Sequence, residues 1–402
     1  MQVILSTYGS RGDVQPLAAL ALRLRAHGVP VTVCAPPDEE HARFLGALGV
    51  ETVPVGESVR ALVTGKLPVK GDIPSRAAVL AGRFQEAVSS LAGPGDVVVA
   101  TGLFPTVAGA QAAAERAGAR FHHAALQPTA LPSPHHRPFE YPMLPYPPEV
   151  TDVRELWDLN IATMNTLFGE AVNGARAAAG LPAVDNVRDH VNGRSPWLAT
   201  DPVLDPWPQG SELAVRQTGA WLLPDERPLP DGLSAFLDAG EAPVYVGYGS
   251  MPLPGAPDAA EVALAAVRAQ GRRIVLARGW AGLTGADEAA DCFVVGEVNQ
   301  QALFPRCAAL VHHGGAGTTT AATIAGTPQV VVPQIVDQPY WARRVAELGI
   351  GAAHDGPTAT VDSLAAALGT ALAAPARDRA REAAALVRTD GAEAAARLVL
   401  ER

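Results

Sequence analysis

Two doubly wound α/β domains facing a common cleft are what this chain of 402 residues predicts. Three observations carry the prediction. Short apolar runs alternate with amphipathic helical runs through both halves, the pattern of parallel βαβ units. A Tyr-Gly-Ser turn directly follows the first strand-like run of each half, at residues 8–10 and again at 248–250. Prolines crowd the stretch between them, at 202, 206, 208, 224, 228 and 230, as in a connector between domains. At 48% hydrophobic the chain has enough apolar matter for two separate cores. The boundaries fall at 1–205 and 233–380, with a connector at 206–232 and a closing helical segment at 381–402 that packs back on the first domain.

In the first half, Gln2 to Thr7 is a strand and Tyr8 to Asp13 a turn. Leu17, Leu20, Ala21 and Leu24 then mark one face of a helix with Pro16 in its first turn and Gly28 at its end. Val29 to Ala35 is a second strand, His41 to Leu48 a helix and Val50 to Val55 a third strand. After a less regular stretch around 56–75, Asp96 to Ala100 and Arg120 to Leu126 are strands flanking an Ala-rich helix. Residues 127–148 hold too many prolines for a helix and predict a long loop with aromatic surface. Gln127, His135 and Phe139 on it are candidates for lining a ligand, since binding residues concentrate on loops held by a scaffold; a purely structural connection fits the composition equally well.

In the second half, Pro243 to Gly249 is a strand running into Ser250, followed by a helix at 259–269 and strands at 273–277 and 292–295. The chain closes with helices over 361–373 and 375–400, the second with Gly391 as a possible interruption.

Several function classes are excluded or weakened. A net charge of −10 argues against a nucleic-acid partner, and no apolar run approaches the roughly 18 residues of a membrane span. The start of the chain lacks the features of a secretion signal, which points to the cytoplasm. Cys34, Cys292 and Cys307 are too scattered for a disulfide framework or a metal cluster. The adjacent pairs His122-His123 and His135-His136 cannot easily share one ion. No third glycine completes a dinucleotide fingerprint at Gly9 and Gly12, although Asp38 stands where a ribose carboxylate would. There is no P-loop and no Asp-x-Asp pair to hold a metal diphosphate, so no metal and no cofactor are expected.

The most informative segment is Val311-His312-His313-Gly314-Gly315-Ala316-Gly317-Thr318. A strand turning through glycines into a helix exposes backbone N–H groups at the positive end of the helix dipole, where a diphosphate can sit. His312 at the strand's end and Thr318 six residues on supply an imidazole and a hydroxyl, while Gly314, Gly315 and Gly317 allow close approach. Without a cation, such donors must neutralise a leaving diphosphate themselves.

These residues belong to a longer pattern. The chain resembles the GT-B nucleotide-sugar glycosyltransferases of glycosyltransferase family one, and among them the bacterial natural-product enzymes of the vancomycin group. The resemblance runs nearly end to end: Gly9-Ser10-Arg11-Gly12-Asp13-Val14, Cys34-Ala35-Pro36-Pro37, Val53-Pro54-Val55-Gly56, Gln217-Thr218-Gly219-Ala220-Trp221, Val246-Gly247-Tyr248-Gly249-Ser250, Gly296-Glu297-Val298-Asn299, His312 to Thr318 and Asp337-Gln338-Pro339-Tyr340. It implies two Rossmann-like domains, the first binding an acceptor and the second a dTDP- or UDP-sugar. It further implies Asp13 as general base, His312 and Thr318 as diphosphate ligands, and Ser10, Arg11 and Ser250 as further donor contacts. Val298 would pair with the nucleobase through its backbone, and Asp337 with Gln338 would hold sugar hydroxyls. Read by itself, Asp13 could instead be only a capping or first-turn carboxylate of the helix that follows. The expected reaction is inverting transfer to a hydroxyl of a glycopeptide or polyketide aglycone, with carbon-linked transfer also open, by a monomer or weak homodimer. A nucleotide-sugar 2-epimerase and a non-catalytic nucleotide-sugar-binding protein are the alternative functions on the same fold.

Overall fold

The computed structural model describes residues 1–401 except 209, 210, 254 and 284–288. Two positions of the predicted connector, 209 and 210, and the final Arg402 thus lie outside the described residues. The chain forms two compact units, one of Met1–Asp201, Pro206–Leu223 and Thr389–Arg402, the other of Pro202–Asp205 and Pro224–Arg388.

Unit one is built on seven parallel strands: β1 (Val3–Ser6), β2 (Val31–Ala35), β3 (Glu51–Pro54), β4 (Val97–Ala100), β5 (Arg120–Ala125), β6 (Trp197–Leu198) and β7 (Arg216–Gln217). Their order is β3-β2-β1-β4-β5-β6-β7. β1, β2 and β4 are buried along their whole length, which is why they read as continuous Val/Ile/Leu runs and not as alternating ones. One apolar layer joins the sheet to the helix Arg11–Ala26 through Val14, Leu17, Leu20 and Leu24. The layer on the other face comes from the helices Ile73–Ser89, Phe104–Ala117 and Val153–Ala178.

Unit two repeats the plan with six strands: β8 (Val244–Gly247), β9 (Ile274–Ala277), β10 (Cys292–Val295), β11 (Ala309–His312), β12 (Gln329–Val331) and β13 (Gly351–Ala353). The order is β10-β9-β8-β11-β12-β13, again all parallel. In each sheet the strand order reverses between two central strands, β1 and β4 in unit one and β8 and β11 in unit two. Crevices beyond the carboxyl ends of such strands are where ligands bind in doubly wound folds.

Candidate active site

In unit one the turn after β1 lies at the switch point. Ser10 caps the helix Arg11–Ala26, its hydroxyl accepting from Gly12 N–H at 3.4 Å, and Asp13 N–H donates to the Ser10 carbonyl at 2.9 Å. The Asp13 carboxylate folds back over Gly9: a Cβ at position 9 would stand 2.0 Å from Asp13 Oδ2. Glycine at 9 is therefore what lets the carboxylate lie at the strand's end, partly exposed. From the partner strand, Gly102 after β4 has φ 93°, and a Cβ there would come within 3.0 Å of the Tyr8 backbone. Arg11 stacks over the Phe44 ring at 5.1 Å and donates to Gln15 Oε1 at 3.2 Å. Asp38, the candidate ribose carboxylate, is buried and accepts from Ser58, Val59 N–H and Arg60 N–H, so it fixes the start of the helix Val59–Val63.

The 127–148 loop is held by the helix Val153–Ala178. Trp157 Nε1 donates to the His136 carbonyl at 2.9 Å, and Asn160 Nδ2 donates to the Tyr146 hydroxyl at 2.9 Å. Among the predicted loop residues, Gln127 accepts the Thr129 hydroxyl, His135 is exposed and Phe139 is 39% exposed. Phe139 begins an aromatic file: edge-on to Tyr141 at 4.9 Å, then Phe168 at 6.0 Å, then Phe104 at 5.2 Å. The file reaches the turn after β4, where Leu103 is half exposed.

In unit two four strand ends converge. β11 pairs with β8 so that His312 lies opposite Gly247. Beyond them, a Cβ on Gly249 (φ 57°) would stand 3.2 Å from His313 Cε1. Trp280 N–H, in the turn after β9, donates to the Gly249 carbonyl at 2.8 Å. Gly314 (φ 88°) leaves no room for a side chain, since its Cβ would meet Val331 Cγ1 at 2.6 Å. Gly315 caps the helix Ala316–Ile324 with no side-chain acceptor, and Gly317, in its first turn, faces open space. The first N–H groups of this helix are thus offered outward with the dipole behind them. Thr318 is partly exposed in that first turn, and its hydroxyl makes no hydrogen bond among the described residues.

One sequence expectation is corrected here. His312 is fully buried; one ring nitrogen meets Gln329 Oε1 at 2.9 Å and the other accepts Gly314 N–H at 3.0 Å. With both nitrogens engaged it shapes the turn and has no N–H left for a ligand. Its neighbour His313 lies one residue past the strand, between Gly249 and Gly315, and its Nδ1 has no partner among the described residues. Burial lowers the pKa of both, to about 4 for His312 and, with the adjacent His312 adding to the effect, about 3 for His313, so both rings are neutral at physiological pH.

The turn after β12 completes the group. Val336, at φ 56°, is a β-branched residue in the left-handed region, a strained placement that leads directly into Asp337. Asp337 Oδ2 accepts from Trp341 Nε1 at 2.7 Å, and burial pushes its carboxyl up to about 6. Gln338 is buried and its Oε1 accepts from Gln334 and Ile335 N–H at 2.8 and 3.1 Å, which ties the turn to the helix Gln338–Glu347. Val298 lies after β10, its backbone without a hydrogen-bond partner among the described residues. Asn299 anchors that segment by donating to the Asp225 and Arg227 carbonyls at 2.8 and 2.7 Å. Ser250 follows Gly249, partly buried.

The structure brings Ser250, the 312–318 turn and Asp337-Gln338 to one edge of the unit-two sheet, and Ser10, Arg11 and Asp13 to the switch point of unit one. No helix among the described residues is long and apolar enough to cross a membrane.

Two all-parallel doubly wound sheets, one with an uncapped helix start at its switch point, give the GT-B architecture that solved glycosyltransferases share. Residues 286–397 match the family model of the erythromycin biosynthesis protein CIII-like C-terminal domain. The chain is 50% identical to glycosyltransferase GtfE of Amycolatopsis orientalis over 402 residues, covering 99% of this chain and 97% of that one. It is 47% identical to the vancomycin aglycone glucosyltransferase of the same organism, covering 100% and 97%. The solved glycosyltransferase VinC, in complex with dTDP, shares the fold at a TM-score of 0.68 and 19% identity over 99% of each chain. The chain belongs to glycosyltransferase family one, in the vancomycin group.

Proposed function

We propose that this enzyme moves a sugar from a dTDP- or UDP-linked donor to a hydroxyl of a glycopeptide or polyketide aglycone, with inversion and without a metal ion. The observation that carries the reading is the uncapped start of the helix Ala316–Ile324 beside the unpartnered imidazole of His313. Backbone N–H groups, a helix dipole, a neutral imidazole N–H and the Thr318 hydroxyl form a donor set for a diphosphate that needs no cation. His313, not His312, is the ring assigned to the leaving group. Asp13 removes the acceptor hydroxyl's proton as that oxygen bonds to the anomeric carbon; the bond from that carbon to the diphosphate breaks, and its electrons leave on the nucleoside diphosphate. Asp337 and Gln338 receive sugar hydroxyls and the Val298 backbone the base. Phe139, the exposed end of the Phe139-Tyr141-Phe168-Phe104 file, offers an aglycone's aromatic ring a surface on which to pack. The name of the vancomycin aglycone glucosyltransferase favours a glycopeptide acceptor among the candidates, and the dTDP bound by VinC is the nucleotide that a dTDP-sugar donor would release.

The test is calorimetric titration of dTDP and UDP without added metal, with NAD as control. His313→Ala should weaken nucleotide binding about 10–100-fold, the loss of one charge-assisted hydrogen bond. His312→Ala should chiefly lower the unfolding midpoint, since it removes a buried partner of Gln329 and Gly314. Asp13→Asn should keep donor affinity and lose about 10²–10⁴-fold in turnover. Nucleotide dissociation constants unchanged in His313→Ala, or binding of NAD alone, would sink the donor-site assignment. Product formed from the donor with no acceptor would favour the epimerase.

A further inference from the structure

The chain lends four residues of its connecting region to unit two. Asp201 ends one stretch of unit one and Pro206 begins the next, while Pro202–Asp205 between them belong to unit two. A segment that only joined domains would lie on the surface, polar and loosely held. This one is bracketed by Pro202 and Pro206 and is buried where a plain connector would be open: Leu204 is fully buried and Asp205 is 2% exposed. Burying a carboxylate is unfavourable unless strong hydrogen bonds replace its water.

Three anchors of this strap fall on one helix, Gln338–Glu347. The Tyr340 hydroxyl donates to Asp205 Oδ1, Arg344 Nε donates to the Leu204 carbonyl at 2.8 Å, and the Leu204 side chain enters the apolar cluster of Trp341, Ala342 and Val345. At the start of the same helix Asp337 occupies the capping position. Its carboxylate accepts from none of the helix's first N–H groups among the described residues; Oδ2 accepts from Trp341 Nε1 at 2.7 Å instead. The placement of that carboxylate therefore follows the placement of the Trp341 indole, and the indole packs in the cluster that the strap completes.

We infer that Pro202–Asp205 is a positioning element of the donor site, in which Leu204 and Asp205 fix Trp341 and Tyr340 and thereby hold the Asp337 carboxylate in place for the sugar of a nucleotide-sugar. The inference rests on the sugar-binding role proposed for Asp337. Leu204 and Asp205 are positioning residues, acting through the helix and its indole. Hydrogen bonds weaken steeply as distance and angle depart from the optimum, so a carboxylate whose support shifts loses its hold on a hydroxyl. The diphosphate turn has an anchor of its own, His312 between Gln329 and Gly314 N–H, so a loosened strap is felt at the sugar and not at the nucleotide.

The experiment is calorimetric titration of the full chain with dTDP and UDP and with their glucose conjugates, in the wild type, Tyr340→Phe, Leu204→Ala and Leu204→Met. The ratio of the dissociation constants of nucleotide and conjugate isolates the sugar. The inference expects Tyr340→Phe and Leu204→Ala to bind the bare nucleotide as the wild type does and to lose about tenfold in affinity for its glucose conjugate. Leu204→Met, which keeps the buried volume, should stay near the wild type. The pH at which conjugate affinity changes, set by Asp337, should move upward in the two weakened variants, because the Trp341 N–H favours the ionised carboxylate. Tyr340→Phe keeps its ring and carries the test if Leu204→Ala fails to fold. A strap that only stabilises the fold would lower the unfolding midpoint and leave both the ratio and the pH profile unchanged, and that result in folded variants overturns the inference. A wild type that binds the conjugates no more tightly than the nucleotides overturns it too, by removing the sugar-binding role of Asp337, whereas a wild type that binds no nucleotide at all sinks the donor site and this inference together.

Discussion

Burial raises the Asp337 carboxyl to about 6, so the folded protein holds a proton there that the unfolded chain, titrating near 3.8, has already released. The stability this supplies is fully present below about pH 4 and is lost as pH rises through about 6. Asp337→Asn keeps an acceptor for Trp341 Nε1 and removes the charge, so the variant should be the more stable protein at about pH 8 and nearly equal to the wild type at about pH 4. Denaturant midpoints at the two pH values check this; a variant less stable at both would show that the charge is not the issue. If the carboxylate receives donor hydroxyls, the same substitution should weaken donor binding, a residue kept for function at a cost in stability. The glycine turn around it was legible because strand, glycines and helix adjoin in the sequence. Which of two adjacent histidines faces the turn was not. That depends on where β11 stops, and strand ends are uncertain by more than the one residue separating His312 from His313. The spacing between His312 and Gln329, partners 17 residues apart, leaves no local trace.

Elements of unit one were legible where one rule sufficed. β1, β2 and β4 are short apolar runs, and the helix Phe104–Ala117 is an alanine-rich run between two of them. The helices Ile73–Ser89 and Val153–Ala178 are harder to see. The first starts inside a stretch rich in Gly and Pro, capped by Asp72 with Pro74 in its first turn. The second buries polar Asn160 and Arg176 in its apolar face, which blurs the period. β6 and β7 have two residues each, too few for any period. The packing of the helix pair 73–89 and 104–117 depends on a single missing side chain. A Cβ on Gly109 would come within 2.2 Å of the Ala81 carbonyl oxygen, and backbone cannot swing aside as a flexible side chain can. Gly109→Ala must push the helices apart, so a loss of about 1–3 kcal/mol is expected from chemical denaturation, despite alanine's better helix propensity. A stabilised variant would mean that the two backbones are not in contact.

At the scale of the molecule, the chain does not finish one unit before beginning the next: unit one takes back residues 206–223 and again 389–402. The last return is the helix Gly391–Leu400, which buries Ala392, Ala395, Ala396 and Val399 in the core layer that also holds the helix Arg11–Ala26. The Gln-Thr-Gly-Ala-Trp segment receives it. Gly219 stands at φ 91°, Trp221 Nε1 is fixed on the Thr218 hydroxyl at 3.0 Å, and a Cβ on Gly391 would be 2.5 Å from the Gly219 carbonyl oxygen. Arg120, at the start of β5, donates to the Val399 carbonyl at 2.7 Å and so pins the helix's far end. Removing the apolar surface of this helix costs on the order of 4 kcal/mol by area, and it also leaves part of the Arg11–Ala26 helix's packing face, whose far end at His27 meets Glu393 at 3.0 Å, in water. A chain ending at residue 388 should therefore show a lowered calorimetric transition for unit one and an unchanged one for unit two, with nucleotide affinity retained and turnover reduced. Loss of nucleotide binding together with turnover would mean that unit two also depends on the last helix for its fold.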